Sequence, residues 1–356
     1  MKTILVITAL ACLGATLSRA ADAPSWNRQA AAAYLDGRMG WWSTWPPAVR
    51  DHDTFCISCH TTLPYSLARP ALRSALGEQG PSANERTFLD NLSRRVSLWN
   101  DVQPFYTDAK NGPPKSAEAR STEAVLTALA LARYQAPAAR DALRNMWDLQ
   151  LKTGDQRGSW TWLNFHNEPW EAPDSAFWGA SLAALAAGLA PKEYRESAAI
   201  QQNLDLLAGY LQREEASQST LNRAVALWAS GPLPRMLTSE QRSAIVQEIL
   251  SKQREDGGWN EASLVMKDWK RRDGTPMDDA SDGYASGLMT LALRRSGTTA
   301  ADSQIARGLA WLERHQDPGG AWLATSMNKK RDPASDAGRF MSDAATAYSV
   351  MALTGR

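Results

Sequence analysis

The chain reads as helix almost throughout. Apolar residues recur at helical spacing, and strict apolar–polar alternation is nearly absent. Two kinds of helix alternate. The first is rich in Ala and Leu, apolar around most of its circumference, and preceded by Ser, Thr or Asp, which cap orphan N–H groups at a helix start. Its members follow Ser121-Thr122-Glu123, Pro173-Asp174-Ser175, Ser219-Thr220, Ser281-Asp282 and Ser342-Asp343. An earlier member follows His60-Thr61-Thr62, with Pro64 tolerated in its first turn. The second kind is amphipathic, near 26–43, 84–101, 137–150, 195–213, 239–253 and 302–315. The apolar starts at 61, 122, 174, 220, 282 and 343 are separated by 61, 52, 46, 62 and 61 residues. A helical-hairpin repeat with variable loops has this form. Six apolar helices inside and six amphipathic ones outside predict an all-α fold, an (α/α)6 toroid of six helical hairpins, with the inner N-termini around one mouth.

The turns after the outer helices repeat as well. Gln253-Arg254-Glu255-Asp256-Gly257-Gly258-Trp259 and His315-Gln316-Asp317-Pro318-Gly319-Gly320-Ala321-Trp322 are near copies, and Lys152-Thr153-Gly154-Asp155-Gln156-Arg157-Gly158-Ser159-Trp160 is a looser third. These turns resemble the Gln…Gly-x-Trp repeats of the squalene cyclase and protein prenyltransferase superfamily, over most of residues 84–356. The resemblance implies a toroid with a largely apolar cavity, in which Gln caps a helix end and Trp packs on it. Trp259 and Trp322 are then staples rather than substrate contacts. The chemistry does not follow. The Asp-x-Asp-Asp acid of class II terpene cyclases is not present; Asp278-Asp279-Ala280-Ser281-Asp282 has a different spacing. The zinc site of prenyltransferases lacks its ligands. Fold and activity are therefore separate questions.

Charge narrows the partners. The chain has 39 basic and 38 acidic residues. Met1-Lys2, the apolar run Ile4 to Leu17 and Ser18-Arg19-Ala20 form a signal-peptide pattern over 1–20. Its removal takes Lys2 and Arg19, leaving 37 basic against 38 acidic residues, a charge of −1. That balance argues against nucleic acid as a partner. The apolar run is too short for a comfortable transmembrane segment, and an exported protein, in a bacterial periplasm or beyond, is expected. A lipoprotein reading through Cys12 is weaker, because the apolar run continues past it.

Without Cys12, two cysteines remain, in Cys56-Ile57-Ser58-Cys59-His60. Cys-x-x-Cys-His is the attachment pattern of a c-type haem: two thiols bond the vinyl-derived carbons of one porphyrin and the adjoining imidazole meets the iron. A redox disulfide or half of a zinc site are the alternatives; the first wants a βαβ context and the second another ligand pair. The expected organisation is a signal peptide over 1–20, N-terminal helices with the haem motif forming the first hairpin over 21–82, and toroid repeats over 83–356. His60 then lies at the start of the first inner helix, and covalent haem c at the mouth of the ring. Trp41, Trp42, Trp45, Pro46 and Pro47 are candidates for one wall of the haem pocket. A separate cytochrome-like lobe is the competing picture. Candidates for a sixth iron ligand are His166, Met341, Met327 and Met277, in that order. Glu123, Asp174, Asp282 and Asp343 are weak candidates for acid–base groups, with helix capping the plainer role. The function expected is electron transfer or haem-dependent redox chemistry with a redox partner protein. A terpenoid cyclase-like enzyme, or a non-catalytic toroid binding an apolar small molecule, is the alternative.

Overall fold

A computed structural model describes residues 26–102 and 112–355. The signal peptide expected over 1–20, with Cys12, lies outside the described residues. The helices are α1 (Arg28–Thr44), α2 (Thr62–Leu76), α3 (Ala83–Ser97), α4 (Gly112–Tyr134), α5 (Ala139–Asp148), α6 (Ser175–Leu189) and α7 (Lys192–Arg195). Then come α8 (Ala198–Glu214), α9 (Thr220–Ser230), α10 (Ser239–Ser251), α11 (Gly283–Ser296), α12 (Asp302–Arg314) and α13 (Phe340–Thr354). The strands among the described residues are β1 (Val49–Arg50) and β2 (Thr54–Phe55), paired antiparallel as one short ribbon.

The inner ring is α2, α4, α6, α9, α11 and α13. Each packs on the next, and α13 packs back on α2. The amphipathic helices α1, α3, α5, α8, α10 and α12 lie outside them. The protein is an (α/α)6 toroid. Two inner helices start earlier than the apolar pattern places them. α4 begins at Gly112 rather than 122, because Pro113 and Pro114 occupy a first turn, where a missing N–H costs nothing. α13 begins at Phe340, so Asp343 sits in its first turn rather than ahead of it.

The Gln–Trp turns tie the hairpins by one repeated arrangement. Gln253 donates to the Gly257 carbonyl of its own turn at 2.8 Å and to the Gln304 carbonyl of α12 at 2.9 Å. Gln316 does the same with Gly320 and Asn27, both at 3.0 Å, which closes the ring onto the start of α1. The third staple uses Gln150 rather than Gln156; it donates to Gly158 at 3.1 Å and to Asn203 of α8 at 3.0 Å. Each Trp indole donates to the last turn of the preceding outer helix: Trp160 to Met146, Trp259 to Ile249 and Trp322 to Leu312. The glycine in each turn has φ between +93° and +97°. A Cβ on Gly320 would lie 2.2 Å from the Ala30 backbone of α1, so only glycine lets the next outer helix come this close.

Aromatic side chains of the inner helices are buried. Trp178, Tyr284 and Tyr348 are fully buried. Tyr284 stands 5.6 Å from Tyr348 and 5.8 Å from Trp170, ring to ring.

Candidate functional site

The Cys-x-x-Cys-His stretch runs from the β1–β2 ribbon into α2, and its backbone is held at each step. The Asn91 side chain of α3 accepts from the Phe55 N–H and donates to the Phe55 carbonyl, both at 2.9 Å. The Cys56 N–H donates to the Ala48 carbonyl at 2.9 Å, and the Trp42 indole donates to the Cys56 carbonyl at 2.8 Å. The Ser58 hydroxyl accepts from the Thr61 and Thr62 N–H groups at 3.1 and 2.9 Å. Ser58, inside the motif, thus satisfies the N–H groups of Thr61 and Thr62 at the start of α2.

Both thiols are free rather than joined. Burial pushes Cys56 up to about 11, and burial, followed by Glu171 and Cys56, also pushes Cys59 well above the ordinary thiol range. Neither has the depressed pKa of a reactive Cys-x-x-Cys thiolate.

His60 is half-buried in an aromatic surround. Its ring stacks on Phe340 at 3.8 Å, meets Trp42 edge-on at 5.2 Å, and lies 5.6 Å from Trp170. Burial, reinforced by Arg38 and Arg331, pushes its pKa down to about 3, so the imidazole is neutral near pH 7. Its tautomer follows from the bonds around it. The Thr61 hydroxyl donates to Asp343 Oδ2 at 2.7 Å, and Thr61 Oγ1 itself lies 2.9 Å from His60 Nδ1. With its own proton directed to the carboxylate, Thr61 must accept, so Nδ1 carries the hydrogen and Nε2 keeps its lone pair. Asp343 accepts in addition from Arg38 Nε at 2.8 Å and from the Tyr34 hydroxyl at 2.8 Å. Sequence reasoning missed Tyr34, Arg38 and Thr61. Only Thr61, adjoining the motif, had a local signal.

Two small cavities flank His60. One, of about 190 Å³, is lined by Cys56, Cys59 and His60 together with Trp42, Pro47 and Glu123. The other, of about 120 Å³, is lined by His60, Trp170, Phe340, Met341 and Arg331. Glu171 lines both, and burial pushes its carboxyl up. Neither cavity alone has the volume of a porphyrin.

The other sequence candidates are dispersed. Met341 shares the smaller cavity with His60, whereas His166 is exposed at a positive φ of 56°. Met327 is fully buried in the core, and Met277 is partly buried against it. Of the four acids, Asp282 caps its helix, accepting from Ala285 N–H at 2.8 Å and from Glu261 N–H at 2.7 Å. Burial pushes its carboxyl up to about 7. Asp174 holds the cap position of α6 without a capping bond and accepts from Asn222 at 3.0 Å. Glu123 is not at a helix start, because α4 begins at Gly112; it is buried and paired with Arg95. Capping thus describes one of the four, and ion pairing holds Glu123 and Asp343. Asp278 and Asp279 are exposed.

Residues 233–350 match the family model of the squalene-hopene cyclase C-terminal domain. Over that stretch the toroid is similar to the squalene-hopene cyclase C-terminal domain. The matched stretch holds the Gln253–Trp259 and Gln316–Trp322 staples, which are the parts of the toroid most alike in sequence. No curated protein matches the chain. No helix among the described residues is long and apolar enough to cross a membrane.

Proposed function

We propose that this toroid is an exported c-type haem protein, with haem held covalently by Cys56 and Cys59 and its iron met by His60, acting in electron transfer or haem-dependent redox chemistry. The observation that carries the reading is the state of the three donors. Two reduced thiols and a neutral imidazole with a free Nε2 line one cavity. The donor chemistry fits a haem, and Glu171 lines both of the cavities that flank the imidazole, neither of which has the room by itself. The group, once bound, would supply one-electron chemistry at the iron. The chain's own contribution is orientation. Asp343, fixed by Arg38 and Tyr34, holds Thr61, and Thr61 holds Nδ1–H, an arrangement that aims a metal-binding histidine and raises its basicity. Trp42 and Phe340 exclude water from the ring. The cyclase alternative has less support, since Asp278 and Asp279 face solvent and aromatic side chains occupy the ring interior.

The test is production with a haem-attachment system, followed by acid–acetone extraction and a pyridine haemochrome spectrum. Haem that stays with the protein supports the reading, with Cys56→Ser and Cys59→Ser each shifting the spectrum toward a single thioether. A colourless protein, or haem lost entirely on extraction, rejects it.

A further inference from the structure

At the end of the ring opposite the motif lies a cavity of about 290 Å³, at the small end of the ligand-pocket range. It is lined by the last turns of α4, α6, α11 and α13, by the mid-part of α2 and by the residues around the end of α9. Leu129, Leu185, Trp228 and Met351 make an apolar wall. Its charged lining residues are Arg133 and Arg295.

Arg133 Nε donates to the Leu67 carbonyl at 3.2 Å. Among the described residues, no carboxylate forms an ion pair with either arginine. Burial pushes both pKa values down; Arg133 also bears on Arg295, as Arg73 bears on Arg133. Helix-end carbonyls offset part of this cost, but neighbouring half-buried cations on an apolar wall still call for a counter-anion. A guanidinium fork matches a carboxylate or a phosphate bidentately. The wall beside it suits an alkyl chain.

We propose that this cavity binds a single-chain anionic amphiphile, an alkyl carboxylate or alkyl phosphate, with its head at Arg133 and Arg295 and its tail along Leu129, Leu185, Trp228 and Met351. The site is separate from the haem motif and stands whether or not that motif carries haem.

The experiment is calorimetric titration of the full chain with decanoate and decyl phosphate below their micellar concentrations, beside 1-decanol, decyltrimethylammonium and inorganic phosphate. The expected result is saturable one-to-one binding of the decyl anions, at least tenfold tighter than the neutral, cationic or tail-less probes. Stronger binding of decyl phosphate identifies a phosphate head, and stronger binding of decanoate a carboxylate. Arg295→Met and Leu185→Trp should each weaken the anions at least tenfold. Arg144→Met, on the exposed face of α5, should leave them unchanged. Equal binding of 1-decanol, equal binding of inorganic phosphate, or no binding overturns the proposal. If the cavity variants fail to fold, the head-group series on the unaltered chain decides alone.

Discussion

The two ends of the inner ring carry opposite charges. At the mouth, acids stand at or near helix starts: Asp174, Asp282 and Asp343. At the far end, Arg133, Arg294 and Arg295 occupy the last turns of α4 and α11. The helix dipole favours both placements, so the sign of each end has one common cause. Pairing is what separates them. Asp343 is bonded to Arg38, Tyr34 and Thr61, and Asp282 to two backbone N–H groups. Arg133 and Arg295 have no acidic partner among the described residues. The mouth is a closed network that positions His60. The far end holds charge that the fold itself does not neutralise.

The comparison can be broken by removing charge at each end. The largest effect is expected from Asp343→Asn, which leaves Arg38, only 6% exposed, with the half-exposed Asp336 as its remaining acid. Breaking a buried pair in this way costs about 3–5 kcal/mol. Urea denaturation measures it, and a loss below about 1 kcal/mol would show that the network does not hold the seam between α1 and α13. Glu168 is the next test. It is 3% exposed, and burial followed by Asp174 pushes it up to about 8. Between its ordinary range near 4.5 and about 8, the folded state keeps a proton that the unfolded state has lost, so stability falls as pH rises. Glu168→Gln should remove that slope. At about 1.4 kcal/mol per pH unit, half the shift is worth about 2 kcal/mol in favour of the variant at pH 8, with no such gain at pH 4. Parallel stability curves for the two proteins across pH 4–8 would refute it. His60 acts on the opposite limb: its folded pKa lies below its unfolded value, so its share of stability is lost as pH falls below about 6.5. Gln316→Ala comes third. It removes the amide that bonds both Asn27 and Gly320, at a cost of about 1 kcal/mol. Gln253→Ala should cost about the same, because the two staples are built alike; a much larger loss at Gln316 would make ring closure the weak point.

What could be read from the chain divides along local and distant lines. The six hairpins and two staples were legible because each is written within one repeat: a Gln, a Gly at positive φ, and a Trp six residues after the Gln. In the third staple four more residues separate Gln150 from Trp160, which places Gln150 outside the looser copy that begins at Lys152. The start of α4 at Gly112 lies ahead of the apolar run after Glu123 that marks the helix in the sequence, and a first turn accepts Pro113 and Pro114. Tyr34, Arg38 and Asp343 could not be joined from sequence, since more than 300 residues separate the partners of each bond. The same holds for Arg133 and Arg295, brought to one cavity by ring closure and by nothing in either one's local pattern.

The smallest expected effect completes the comparison. Arg295→Met keeps most of the side chain's apolar bulk, removes a cation that Arg133 and Arg294 both repel, and gives up only its attraction to the end of α11. Those contributions oppose each other, so the change in stability should stay within about 1 kcal/mol in either direction. Denaturation of this variant beside Asp343→Asn under identical conditions is the measurement. A small change at Arg295 with a large one at Asp343 is the pattern expected of an end built to hold a ligand opposite an end built to hold itself. A loss at Arg295 as large as that at Asp343 would mean that its charge is already paired within the fold, and would remove the asymmetry between the two ends.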